Sequence, residues 1–241
     1  ASGESPRRLV LLHIPKTAGT SLRHLLREQL EPPEIAELDP PLTLQGCVRI
    51  AKRGPRLRLL AGHLYFGIAE DLDLEADYAT ILREPVARVV SFWKHQCTHE
   101  HAEFHALART GMSLREFVEG EHTLQTDNHM TRILVGSGEP GLLDESRRRV
   151  DDPRLLEQAL ENVRERFRFV GFLEHYAASV TAMAGVLGLP APEGLQRRLN
   201  KGCPTDPGTD PETIAAIRAH NALDIALYER LLAEATWLGP E

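Results

Sequence analysis

Cysteine is scarce: Cys47, Cys97 and Cys203 are the only three in 241 residues. Three widely spaced thiols, odd in number, do not make a disulfide framework, and they fit a reducing compartment. Long apolar runs are missing too. Nothing approaches the roughly 18 uninterrupted apolar residues of a membrane span, and Ala1 to Arg8 is too polar for a signal peptide. We therefore expect a cytoplasmic protein with no membrane partner, although Ala1 in place of Met leaves open a targeting segment removed before it. Positive charge is not in excess, with 28 Lys+Arg against 35 Asp+Glu and a net charge of -7. That excludes a protein built to grip long nucleic acid by neutralising its phosphates, so any anion site must be local. No internal repeat is visible.

What remains is ordinary: 42% hydrophobic and 26% charged residues, with 18 Gly and 16 Pro. The expectation is one globular α/β domain over residues 1–241. Apolar segments alternate between strand and helix patterns, which implies a parallel sheet covered by helices on both faces. Leu9 to Leu12, Leu57 to Ala61, Tyr78 to Leu82 and Arg168 to Phe172 read as strands. Leu22, Leu25, Leu26 and Leu30 make one helical stripe ended by Pro32-Pro33. Pro85 opens a helix with Val86, Val89, Val90 and Trp93 on its buried side. Ser113 and Glu116 have capping-box spacing. Helical patterns also cover Thr126 to Leu134, Leu155 to Val163, Tyr176 to Leu187, and one long helix from Pro211 to Ala235. The stretch Glu31 to Pro55 reads as an irregular excursion.

The most informative segment is His13-Ile14-Pro15-Lys16-Thr17-Ala18-Gly19-Thr20-Ser21, between a buried strand and an amphipathic helix. Ligands bind at that end of the strands in open α/β sheets. Backbone N–H groups opening the helix have no internal partners and lie at the positive end of its dipole, while Gly19 lets the chain curl closely around a phosphate. Lys16 adds a full charge, and Thr17, Thr20 and Ser21 add hydroxyl donors. The order is not that of a nucleotide-triphosphatase loop, in which Lys follows the second Gly.

In this form the segment resembles the 5′-phosphosulfate loop of sulfotransferases that use 3′-phosphoadenosine 5′-phosphosulfate (PAPS). It is most similar to the branch containing heparan sulfate 2-O-sulfotransferase and its small bacterial relatives. The resemblance implies a P-loop-like α/β fold, no metal, and release of 3′-phosphoadenosine 5′-phosphate (PAP). It also implies that Lys16, Thr17, Ala18, Gly19, Thr20 and Ser21 hold the 5′-phosphosulfate. Arg83, at the end of a strand, and Ser91, about two turns into the next helix, match the family's 3′-phosphate signature. Arg88, Ser91 and His95 share one helix face, opposite the Val/Trp stripe, and are expected to be free for a ligand.

Transfer to a hydroxyl needs a group to take its proton, and histidine titrates in the right range. His63, in Gly62-His63 after the second predicted strand, is the candidate base, with His13 and His95 as alternatives; the Gly-His pair is similar to the stretch carrying the catalytic His of that branch. Asn128 and Arg132, in Asp127-Asn128-His129-Met130-Thr131-Arg132, resemble a segment of bacterial members and are candidate site-lining residues, with His13. Lys201 matches the family's basic loop over the nucleotide. His95, Cys97, His99, His101 and His105 match none of the usual zinc spacings. The basic run Lys52 to Arg58 suits either an acidic acceptor or a solvated edge. The expected acceptor is a small molecule or carbohydrate. Two rivals remain: a small-molecule kinase using ATP and magnesium, and a nucleotide-binding module without catalysis. Nothing in the sequence reads on oligomeric state.

Overall fold

A computed structural model describes residues 8–39, 44–139, 141–144, 149–191 and 209–236. Five parallel strands form one sheet in the order β2-β3-β1-β4-β5: β1 (Arg8–Leu12), β2 (Ile35–Glu37), β3 (Leu59–Gly62), β4 (Ala76–Leu82) and β5 (Phe167–Phe172). Leu12 lies in register with Gly62 on one side and Thr80 on the other, so β3, β1 and β4 end close to a common line.

Side chains alternate across β1. Val10 and Leu12 enter a core with Leu60, Tyr78 and Leu82, closed by α7 (His129–Val135), α8 (Pro153–Arg166) and the last helix; Leu9 and Leu11 enter another with Leu59, Ala61, Ala79 and Ile81, closed by α1 (Gly19–Arg27) and α9 (Tyr176–Val186). A strand buried on both faces has no place for a polar alternation, which is why Leu9 to Leu12 of β1 and β3 read as unbroken apolar runs. The expected architecture, a parallel sheet with helices on both faces, is what the chain adopts.

The segment from Glu31 to Pro55 is not irregular: it holds β2 and the helix α2 (Leu44–Ala51). After the short α3 (Ile68–Asp71), α4 (Pro85–Thr98) starts with proline at its first position. The carboxylate of Glu84 caps α4, accepting from the N–H groups of Val86 (3.1 Å) and Ala87 (2.7 Å). Val86, Val89 and Val90 pack on Val118 and Ile217, and Trp93 on Phe117, as the apolar stripe requires. Then come α5 (His105–Ala108) and α6 (Leu114–Glu119), the latter opened by the expected capping box of Ser113 and Glu116.

The predicted long C-terminal helix is two helices, α10 (Pro211–His220) and α11 (Ala222–Ala233). Fully buried Asn221 breaks it. Its amide donates to the carbonyls of Thr126 (2.8 Å) and Ile217 (2.9 Å), and its side-chain oxygen accepts from the N–H of Asn128 (3.2 Å). Among the described residues, no helix is long and apolar enough to cross a membrane.

Candidate active site

The turn from β1 into α1 coils by alternating backbone handedness. Lys16 (φ 72°) and Ala18 (φ 63°) are left-handed, whereas φ is not positive at Thr17 or Gly19. Such alternation aims successive N–H groups into one concavity, the geometry of an anion-binding nest. Two non-glycine residues in this region cost of order 1–3 kcal/mol each. Thr17, buried, anchors the turn by donating its hydroxyl to the carbonyl of Ile14 (2.8 Å). Ala18, at the N-cap of α1, makes no side-chain cap, and no acidic residue lies in the first turn, so among the described residues nothing neutralises the positive end of the dipole.

Gly19 is needed for space, not for curl. A Cβ there would lie 1.8 Å from Cδ2 of His13. Lys16 makes no ion pair among the described residues. Burial and the nearby Arg83 lower its pKa, and its own charge reaches His95, where burial, Lys16 and His99 lower the imidazole pKa in turn.

The second anchor abuts the first. Arg83, at the end of β4, donates from Nη1 to the carbonyl of Lys16 (3.1 Å). Ser91 is half-buried on α4, six residues past the helix start and so roughly 9 Å along its axis. Arg88 corrects expectation: it is not on an open face but fully buried, donating Nη2 to the carbonyl of Gln125. Its Nε and Nη1 have no partner among the described residues. Packing of α4 against α10 and the segment before α7 leaves no solvent side for it, so that helical face is closed at Arg88, while Ser91 and His95 further along it are half-buried.

His63 follows β3 and stands half-exposed at the same edge. Its ring stacks on that of His13, with centroids 4.4 Å apart and planes at 25°. Its Nδ1 lies 3.0 Å from Oδ1 of Asp39, the same oxygen that accepts the His63 backbone N–H (2.8 Å). Arg23 on α1 donates to the other oxygen of Asp39 (3.2 Å). Burial lowers the His63 pKa, with Asp39 opposing and Arg23 assisting. His13 is more deeply enclosed. Burial, then His63 and Arg23, push its pKa down to about 3, so it is neutral throughout the physiological range.

Asn128 and Arg132, expected to line the site, are instead tied into the scaffold. The Asn128 side-chain oxygen accepts from the N–H groups of Leu223 (2.9 Å) and Asp224 (3.0 Å), and its amide donates to the carbonyl of Val150 (2.6 Å). Buried Arg132 pairs with Asp127 and donates to the carbonyls of Asp127 (2.8 Å) and Leu142 (2.7 Å). Lys201 lies outside the described residues, as does the side chain of Thr20. The basic run Lys52 to Arg58 enters β3 from the edge opposite His63, which removes it from the site.

Two residues were missed. Asp39 falls in the stretch read as irregular, and nothing local marks it. His129 was passed over between Asn128 and Arg132; it is buried, its Nδ1 lacks a partner among the described residues, and burial, Arg88, Arg132 and His63 hold its pKa well below the ordinary value.

A similar fold is found among known proteins. The crystal structure of a sulfotransferase from Alicyclobacillus acidocaldarius shares the fold, at a TM-score of 0.52 and 16% identity over 94% of this chain and 96% of that one. Mouse sulfotransferase SULT7A1, solved complexed with PAP, aligns at a TM-score of 0.46 and 15% identity over 81% of this chain and 64% of that one. No curated protein sequence matches. The model of the sulfotransferase family matches residues 4–204, so the chain belongs to the sulfotransferase family.

Proposed function

We propose that the chain transfers a sulfuryl group from PAPS to a hydroxyl of a small-molecule or carbohydrate acceptor, releasing PAP. The observation that carries this reading is the junction of two anion anchors at one sheet edge: the alternating turn with Lys16, which has no ion pair among the described residues, and Arg83 bonded to the carbonyl of that lysine. A carrier with phosphates at both ends suits such a pair. The N–H groups from Thr17 to Ser21 and the Lys16 ammonium face the 5′-phosphosulfate. Arg83 and Ser91 hold the 3′-phosphate.

In the reaction, the acceptor oxygen bonds to sulfur as the bond from sulfur to the bridging phosphate oxygen breaks. His63 takes the hydroxyl proton, a role in keeping with the downward pull of burial on its pKa. Lys16 stabilises charge developing on the leaving phosphate. At an effective dielectric near 20, a lysine about 4 Å from a phosphate oxygen gains on the order of 4 kcal/mol, and whatever part of that appears only in the transition state raises the rate tenfold per roughly 1.4 kcal/mol. Most of the acceleration then comes from positioning and electrostatics, as in phosphoryl transfer.

The form Pro-Lys-Thr-Ala-Gly-Thr-Ser and the Gly62-His63 pair favour the heparan sulfate 2-O-sulfotransferase-like branch and its small bacterial relatives. The free thiols of Cys47 and Cys97 suit a cytoplasmic setting. Calorimetry tests the nucleotide. The expected result is tight PAP binding with ATP–magnesium bound far more weakly, and the reverse order refutes the reading in favour of a kinase. PAPS consumption across a panel of hydroxyl acceptors tests turnover, and a panel that yields no sulfate ester favours a binding module.

A further inference from the structure

The carboxylate of Asp39 is arranged to do more than close a loop. Its Oδ1 is shared between the backbone N–H of His63 (2.8 Å) and Nδ1 of the same residue (3.0 Å), while Oδ2 accepts from Arg23 (3.2 Å). The chains approach closely to allow this. A Cβ on Gly62 would lie 1.8 Å from the carbonyl oxygen of Leu38 and 3.2 Å from Asp39 Oδ1, so only glycine lets the β2 and β3 ends draw together. An ionised carboxylate accepts hydrogen bonds and cannot donate them. Burial favours protonated Asp39, but the N–H of His63 and the guanidinium of Arg23 outweigh it and hold the carboxyl below its usual range. The imidazole nitrogen facing it must therefore carry the proton.

We infer that Asp39 is a positioning residue that fixes His63 as the Nδ1–H tautomer and leaves the Nε2 lone pair as proton acceptor. This rests on the reading of His63 as the base. Free imidazole in water favours the opposite tautomer, so the assignment differs from what an unoriented histidine shows. The ring is held on a second side by His13, stacked on its face, and rotation about the side chain would break both the stack and the Asp39 bond. Among the described residues, the charged or titratable groups facing His63 are Asp39 at the end of β2, Arg23 on α1, His13 in the β1–α1 turn and His129 on α7. Asp39 alone among them is negative. It is therefore the group that raises the affinity of His63 for a proton.

The test reads the proton directly. In long-range nitrogen–proton spectra of the full 15N-labelled chain near pH 8, with His63 identified by the peaks lost in His63→Gln, the wild-type ring is expected to show a protonated Nδ1 and a bare Nε2. Asp39→Asn is expected to lose that preference and to lower the pH at which His63 titrates. In PAPS turnover, Asp39→Asn is expected to lower kcat about 100-fold or more, the scale of general base catalysis, with the acid limb moved to lower pH and KM for PAPS unchanged. Asp39→Glu should recover part of the rate. A proton on Nε2 in the wild type overturns the inference without any variant, as does an Asp39→Asn spectrum and titration identical to wild type. Full turnover by His63→Ala with the expected tautomer in place removes His63 as the base while leaving its orientation by Asp39 standing.

Discussion

Replacing Gly19 by alanine isolates one packing relation on which the site depends. The added Cβ would sit 1.8 Å from Cδ2, 2.2 Å from Nε2 and 2.4 Å from Cγ of His13. Ordinary carbon contacts lie near 3.5 Å, so the ring must withdraw by about 1.5 Å or more. It has nowhere to go. His13 donates its backbone N–H to the carbonyl of Gly62 (2.8 Å), is only 6% exposed, and lies flat on His63. Forcing an extra carbon into such packing costs about 1–3 kcal/mol, or roughly 2–12 °C in melting temperature for a chain of this length. The displaced ring should also disturb the turn below it, weakening PAP binding by about tenfold, or about 1.4 kcal/mol. Gly185→Ala in α9 is the control, because a Cβ there meets nothing within 4 Å. Helix propensity then acts alone, and the variant should gain about 0.5–1 kcal/mol. Thermal unfolding followed by circular dichroism, with calorimetry of PAP, gives both readouts. Gly19→Ala melting with the wild type, or both variants shifting in the same direction, refutes the argument.

Lys16→Met should leave stability within about 0.5 kcal/mol, as the ammonium makes no ion pair among the described residues, yet cut PAPS turnover about 100-fold, the two being read by urea unfolding and by PAP release. Arg132→Met leaves buried Asp127 without its ion-pair partner, which should cost about 3–5 kcal/mol in urea unfolding; calorimetry on the folded variant at low temperature should show PAP affinity unchanged, since the arginine serves the scaffold. The His13 pKa falls from an ordinary 6.5 to about 3 on folding. Between those values the unfolded chain holds a proton that the folded chain lacks, so stability is lost as pH drops from 6.5 towards 3, and His13→Gln should flatten the measured dependence by up to about 1.4 kcal/mol per pH unit.

How far the sequence reaches is set by how local each cause is. The strands β1, β3 and β4 were legible because burial on both faces writes itself into consecutive residues, and the edge strand β5 by its aromatic and apolar residues. Arg83 and His63 were legible as candidates because each immediately follows such a strand, and Lys16 because it lies in the turn between one and an amphipathic helix. β2 was not: three residues behind Pro32-Pro33, paired only to β3, carry too short a pattern to stand out. The break at Asn221 was hidden because apolar periodicity runs through it, and the cause lies about 95 residues away in sequence, in Thr126 and Asn128. The left-handed turns at Lys16 and Ala18 were hidden for a related reason. Neither residue type favours that conformation, so what imposes it is the frame around the turn, including the Arg83 bond to the carbonyl of Lys16. Asp39 is the instructive case. It lies 24 residues before His63, and only the pairing of β2 with β3 carries it to that imidazole. A reacting group can be recognised from its own neighbourhood in the chain. The group that orients it is supplied by an adjacent strand, and it becomes visible only once the order of the sheet is known.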